Sequence, residues 1–248
     1  MAGDFAKADE RGVPSLVWRA GQERRLEMIR RSAGTRLDGG QVLVDGCGIG
    51  MYNRALLKFT PHVFGLDVEA DRVRQAAIRV PNLVVSVGEY LPYRDAQFDV
   101  ILSHEVIEHV QDDRLYAAEM IRVLKPGGRA IIFCPNRWYP FETHGHYWRG
   151  EYHFGNTPLI NYLPNIWRNK FAPHVRAYTA RGLRRLFDGL PVRVISHRQI
   201  YPGYDNVVRR APKLGTFVRR TTYFLERTPL QKLGLSHWLV LEKRKIDG

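Results

Sequence analysis

Glu105, Glu108 and His109 stand at i, i+3 and i+4, so a helical segment there would bring two carboxylates and an imidazole onto one face. Further along, FETHGHYWRGEYH (141–153) supplies His144, His146 and His153, and Trp138 and Tyr139 precede it. Imidazoles take up a proton at neutral pH, and aromatic side chains bind a flat ring or a sugar. Two carboxylates with imidazoles are also a donor set for Mg²⁺ or Mn²⁺. The alternative is structural: His109 hydrogen-bonded to backbone, Glu108 capping a helix, and a packed aromatic lid with surface histidines. The set read as catalytic is Glu105, His109, His144 and His146. No metal is assigned, and Glu105, Glu108 and His109 are the candidate ligands should one bind.

A second constellation lies upstream. The apolar run Gln41–Asp45 (QVLVD) leads into Asp45-Gly46-Cys47-Gly48-Ile49-Gly50. Glycines after a strand let the backbone approach a ligand and open the next helix, whose first N–H groups are free. Asp67 closes the next apolar run, where a carboxylate can accept both hydroxyls of a ribose. Dinucleotide enzymes space such glycines G-x-G-x-x-G, whereas this turn reads G-x-G-x-G followed by Met51.

These residues need a frame. Gln22 to Arg31 predicts an amphipathic helix with Leu26 and Ile29 on its apolar face. Strands are expected at 41–45, 62–68, 83–87, 98–103 and 129–134, with helices at 52–59, 69–79 and 112–124 between them. Asp112 or Asp113 caps the last of these helices, and the LKPGG run (124–128) stops it. Strands alternating with helices at this spacing predict a parallel, doubly wound α/β sheet. After Pro135 the rhythm breaks, and residues 136–178 show no period, as in a lid or binding insertion. A helix at 179–188 capped by Thr179, a strand at 192–197 and a last strand at 236–242 follow, with a second insertion at 201–233. The expected organisation is a helical cap over 1–40 and one domain over 41–248 carrying both insertions.

The chain has 248 residues, 44% of them hydrophobic, enough for one sizeable core. Nothing resembles a signal peptide or a membrane span, and two cysteines make no disulfide framework, so a cytoplasmic protein is expected. Residues 1–136 carry 18 basic and 18 acidic side chains, while residues 137–248 carry 20 and 7, which is the whole net charge of +13. A basic half suggests an anionic partner, whether membrane surface, phosphate-bearing substrate or RNA, or else a solvated face. In the second insertion Leu214, Phe217, Val218, Thr221, Phe224 and Leu225 fall at helical spacing among Lys213, Arg219, Arg220 and Arg227. Such a helix either lies peripherally on an anionic membrane or packs on the domain with its arginines in solvent.

VLVDGCGIG, GLDV, GEYLPY, FDVI, EVIEHV and LKPGG occur in that order between Val42 and Gly128. Together they resemble the class I S-adenosylmethionine (SAM)-dependent methyltransferases, type 11-like, with an ExxEHV motif as in ubiquinone-pathway O-methyltransferases. The resemblance covers about 41–135 and implies a Rossmann-like, doubly wound, mostly parallel seven-stranded sheet with helices on both faces. It implies SAM as cofactor, with Asp45, Gly46, Cys47, Gly48 and Gly50 around its methionine part. Asp67 would hold the ribose, Val68 would pack beside the adenine, and Gly88 and Glu89 would line the adenine edge. Ser103 and His104 would sit near the sulfonium. Two positions depart from the pattern: Val44 stands where the first acidic residue is usual, and Val87 where a second acidic residue is frequent. Some relatives with ExxEH bind a metal there, namely small-RNA 3′-end 2′-O-methyltransferases and some ubiquinone-pathway enzymes. The expected activity is methyl transfer to oxygen of a small acceptor: a quinone or phenol, a sugar, or a lipid-linked precursor. A metal-dependent RNA 2′-O-methyltransferase is the alternative, without a separate RNA-binding module in the sequence to support it.

Overall fold

The computed structural model describes residues 18–245. Helix α1 (Ala20–Ala33) and a 3₁₀ turn (Gly34–Leu37) precede the sheet, and residues 1–17 of the expected cap lie outside the described residues. Then follow β1 (Val42–Asp45), α2 (Met51–Leu56), β2 (Val63–Asp67), α3 (Ala70–Ala77), β3 (Leu83–Val85), β4 (Phe98–His104), α4 (Asp113–Val123) and β5 (Leu124–Pro135).

Seven strands form one sheet in the order β10-β11-β5-β4-β1-β2-β3, where β10 is Val192–Ile200 and β11 is Ser236–Lys243. β1 to β5 pair in parallel, and β11 runs antiparallel between β5 and β10. Successive side chains of a strand face opposite sides, so a sheet covered on both faces needs apolar residues at every position. β1 and β5 show this: Leu43, Ala130, Ile132 and Cys134 join one core, while Val42, Val44, Ile131 and Phe133 join the other. The first core is closed by Tyr116, Ala117, Met120 and Ile121 of α4, the second by Leu26, Ile29 and Ala33 of α1 with Ala55 and Leu56 of α2. Truncating a fully buried residue such as Ile29 to alanine costs roughly 2–5 kcal/mol.

Asp112 caps α4 by accepting from the N–H groups of Arg114 and Leu115. Its other end stops at Val123, before the proline, and is satisfied from a distant strand. Lys243 Nζ donates to the carbonyls of Ile121 (2.7 Å) and Leu124 (2.8 Å), a cation on the negative end of the helix. The LKPGG run is therefore not only a turn. It opens β5, and its extra residues appear as a register shift between the Phe98–Leu124 and Val100–Arg129 pairs.

The first insertion is ordered. β6 (Phe141–Glu142) pairs with β9 (Thr157–Pro158), and β7 (His146–Trp148) pairs with β8 (Glu151–His153) inside that loop. A 3₁₀ turn (Ile160–Tyr162) and α5 (Asn165–Phe171) complete it. Its two ends are joined: Arg137 N donates to Tyr178 O (2.8 Å), and Tyr178 N to Pro135 O (3.1 Å). α6 (Ala180–Arg185) follows, with Thr179 accepting from Gly182 N as its cap. The second insertion holds α7 (Asp205–Arg210), α8 (Pro212–Leu225) and a 3₁₀ turn (Pro229–Leu233). No helix among the described residues is long and apolar enough to cross a membrane.

Candidate active site

At the carboxyl edge of the parallel strands, the turn after β1 places Gly46, Gly48 and Gly50 at φ of 68°, 53° and 79°. Side chains rarely adopt these angles, so the turn is built for glycine. A Cβ on Gly46 would also lie 2.2 Å from Val106 Cγ2. Asp67, at the end of β2, accepts from Gly48 N (2.8 Å) and from Glu69 N (2.9 Å). Its carboxylate is thereby fixed beside the glycine turn, and Val68 next to it is exposed. A glycine turn without side chains, an oriented carboxylate and an exposed apolar residue fit the methionine, ribose and adenine parts of SAM.

Other expected cofactor residues are placed differently. Asp45 shares the face of Leu43 and is buried beneath the turn, where a Cβ on Gly88 would lie 3.1 Å from its Oδ2. Burial pushes its carboxyl up to about 7, with the nearby Tyr116 hydroxyl opposing and the charges of Asp67 and Glu89 assisting. Ser103 is fully buried and accepts the Tyr116 hydroxyl at 2.8 Å, so its side chain is turned away from the crevice. Gly88 packs against the Tyr116 ring, and buried Glu89 accepts from Gln111 N at 2.7 Å. Cys47 is buried, and burial pushes its thiol up to about 12, which leaves it no part as a nucleophile. His104 does reach the edge. Its ring packs on Tyr52 (4.8 Å between centroids) and Phe133 (5.5 Å), and burial with Arg25 nearby lowers it to about 3.

The acidic cluster follows directly. After β4 the chain turns at Glu105, whose φ of 56° is a left-handed conformation costing roughly 1–2 kcal/mol in a non-glycine residue. Residues 105–111 form turns, not the helix that the spacing invited, because this reversal delays helix formation until the Asp112 cap. The turn is held by Glu105 N donating to Phe133 O (2.9 Å), Arg176 N to Glu108 O (3.0 Å) and the Tyr178 hydroxyl to Ile107 O (3.0 Å).

The same three acids and bases nevertheless converge, joined by His144 from the loop after β6. Ligand atoms of Glu108, His109 and His144 all lie within 4.8 Å of one another. Glu105 Oε2 is 3.8 Å from His144 Nε2, and Arg25 Nη2 lies 3.9 Å from Glu105 Oε1. Among the described residues, neither oxygen of buried Glu108 has a hydrogen-bond partner. Burial, then the charge of Glu105, pushes the Glu108 carboxyl well above its usual range. Burial also opposes ionisation of Glu105, but Arg25, His104 and His144 outweigh it and hold that carboxyl below the usual range.

Both imidazoles are oriented from behind. The Nδ1–H of His109 faces His174 O at 3.2 Å, and that of His144 faces Glu142 Oε1 at 3.1 Å. Each Nε2 is then the free lone pair, the arrangement typical of metal-ligating histidines. Burial, then repulsion from His144, lowers His109 to about 4, so it is neutral. Glu142 is held by Arg168 of α5, a fully buried guanidinium that donates to Glu142 Oε2 (2.8 Å), Asn161 Oδ1 (3.1 Å) and Val175 O (2.8 Å). Burial opposes the Glu142 charge, yet His144 and Arg168 lower its carboxyl to about 2.

His146, expected to be catalytic, belongs elsewhere in the insertion. It stacks on His153 (5.3 Å) and pairs with Thr157 Oγ1 (2.9 Å), and neither contact involves Glu105, Glu108, His109 or His144. Conversely, Arg25, Glu142, Arg168 and His174 were not read as site residues. Only Glu142 left a signal, an acid two places before His144.

Residues 43–132 match the methyltransferase domain family model. A Mycolicibacterium smegmatis protein named a "probable S-adenosylmethionine-dependent methyltransferase" is 34% identical over 130 residues, 52% of this chain and 51% of that protein. A ubiquinone biosynthesis O-methyltransferase of Xylella fastidiosa is 30% identical over 120 residues, 46% of this chain and 48% of that enzyme. The chain thus spans about half the length of these relatives. Over the whole fold, an S-adenosylmethionine-dependent methyltransferase structure from Mesorhizobium loti superposes with a TM-score of 0.60 at 17% identity, covering 90% of this chain and 98% of that one. Residues 43–132 thus carry a methyltransferase domain similar in sequence to SAM-dependent methyltransferases, whose cofactor is SAM, and the fold of the chain is similar to theirs.

Proposed function

We propose that the protein transfers the methyl group of SAM to an oxygen of a small-molecule acceptor, and that Glu108, His109 and His144 hold a divalent cation beside it. The observation that carries this reading is Glu108. A carboxyl group with no exposed side-chain surface and two unpartnered oxygens faces two imidazoles whose outer nitrogens are already committed. Unpaired buried polar atoms are costly, roughly 1–3 kcal/mol each, and a cation satisfies them. Carboxylate with imidazole suits Mg²⁺ or Mn²⁺. When bound, such an ion lowers the pKa of an acceptor hydroxyl.

Methyl transfer forms the oxygen–carbon bond as the sulfur–carbon bond breaks, leaving S-adenosylhomocysteine. Positioning supplies most of the rate in such a displacement. The glycine turn and Asp67 fix the donor, and the turn at Glu105 sets the acceptor site at the neighbouring strand end. Glu105 is the most exposed carboxylate of the cluster and is kept ionised by Arg25, so the hydroxyl proton passes to its Oε2. The aromatic side chains of the first insertion, among them Tyr139 and Phe141 at 5.7 Å, favour a ring-bearing acceptor such as a phenol or reduced quinone. A name of that kind is carried by the Xylella relative. An RNA 2′-hydroxyl has no separate observation behind it.

Calorimetric titration with S-adenosylhomocysteine, then with Mn²⁺ after EDTA treatment, tests both parts. The native protein and Glu108→Gln should bind S-adenosylhomocysteine alike, while Mn²⁺ should bind the variant at least tenfold more weakly. No nucleoside binding by either protein refutes methyl transfer. Equal Mn²⁺ binding by both removes the cation from Glu108.

A further inference from the structure

α8 packs on the domain with one face and leaves the other without a partner among the described residues. The inner face holds buried Gly215, with Arg219 donating to Asp205 (3.0 Å) and to Gly203 O (2.6 Å). Tyr223 lies under the Arg24 guanidinium at 3.8 Å, and Glu226, just past the helix, pairs with Arg24 and accepts from Tyr201 N. The outer face carries Leu214, Phe217 and Phe224, exposed by 58%, 68% and 63%. They stand at 3-, 7- and 10-residue separations, one stripe of a helix. The turn after α8 adds exposed Leu230 and Leu233.

The charge around this stripe has one sign. Arg209, Arg210, Lys213, Arg220, Arg227 and Lys232 are all exposed, and none forms an ion pair with a carboxylate among the described residues. The only two acids between Asp205 and Leu235, Asp205 and Glu226, are both turned inward onto Arg219 and Arg24. The apolar residues need a medium that accepts hydrocarbon, and the cations need one that is negative. We infer that the outer face of α8 docks on an anionic lipid bilayer, with Leu214, Phe217 and Phe224 among the acyl chains and the cations at the headgroups. A nucleic acid would use the cations but gain nothing from Leu214, Leu230 or Leu233. The inference is independent of the methyl-transfer reading.

Co-sedimentation of the full chain with vesicles tests it, using phosphatidylcholine alone and phosphatidylcholine with 30% phosphatidylglycerol. The native protein should pellet with the anionic vesicles and be released by high salt. Phe217→Glu with Phe224→Glu should weaken binding at least tenfold with an unchanged melting temperature. Lys213→Glu with Arg220→Glu should do the same and serves if the first pair fails to fold. The inference would be overturned by equal binding to both vesicle types or to neither, by full binding by a folded variant, or by self-association in ultracentrifugation that the Phe pair abolishes. Binding to a single-stranded RNA oligonucleotide in place of the vesicles, lost in the charge pair, would also overturn it.

Discussion

Asp67, proposed to meet the ribose of SAM, is fixed by its immediate neighbours. Its two oxygens are held by Gly48 N and Glu69 N, so the carboxylate is oriented by backbone and needs no rearrangement to meet a ribose. Hydrogen bonds to a charged group are worth about 1.5–3 kcal/mol. Asp67→Asn should therefore weaken S-adenosylhomocysteine about 10- to 100-fold in calorimetry. An affinity within twofold of native would take Asp67 out of the site. The placement of such residues was legible in the sequence because it is local: a turn needs its glycines, and a strand ends on its acid. Asp45 was half legible. Alternation along β1 sends it to the α4 side with Leu43, and only the position of Tyr116 shows that it is buried. His144 and His146 were grouped because two histidines flanking one glycine look equivalent in sequence. Gly145 at φ 80° and the hairpin beyond it send them to different neighbours.

At the scale of elements, the alternation of strands and helices was readable because strands buried on both faces are short continuous apolar runs, set off from the amphipathic helices between them. The interior of the first insertion was not. Its hairpins are very short, and what holds them is a tertiary contact between Glu142 of β6 and Arg168 of α5. No period announces such a pair. Removing one partner of a fully buried ion pair leaves an uncompensated charge, at a cost of about 3–5 kcal/mol. Arg168→Met should lower stability by that amount in denaturant titration. It should also weaken Mn²⁺ about 10- to 100-fold, the usual effect of losing support behind a histidine ligand. A variant with native stability and native Mn²⁺ affinity would separate α5 from the site.

Across the whole molecule, two buried groups pull stability in opposite directions with pH. Burial lowers His237 from 6.5 to about 4. The unfolded chain takes up that proton first, so stability is lost as pH falls from 6.5 towards about 4, by about 1.4 kcal/mol per unit. Asp45 is raised from 3.8 to about 7, so it favours the folded state at low pH and that contribution disappears as pH rises through about 7. In the shared window the aspartate offsets the histidine. Asp45→Asn should remove the offset, and its melting temperature should fall more steeply than that of the native protein between pH 6.5 and about 4. Parallel curves would mean that Asp45 keeps its ordinary pKa.

The joined ends of the first insertion bear on how such a protein diversifies. Pro135, Asn136 and Arg137 pair with Tyr178, so the chain leaves β5 and returns within one rung of backbone hydrogen bonds. Whatever is spliced between those rungs, the sheet keeps its register and the donor end its shape. The stretch shared with the methyltransferase domain ends at residue 132, just short of this junction. A segment exchanged at that point enters and leaves on the same rungs, so the proposed acceptor side can change while the strand carrying the proposed donor turn stays in place.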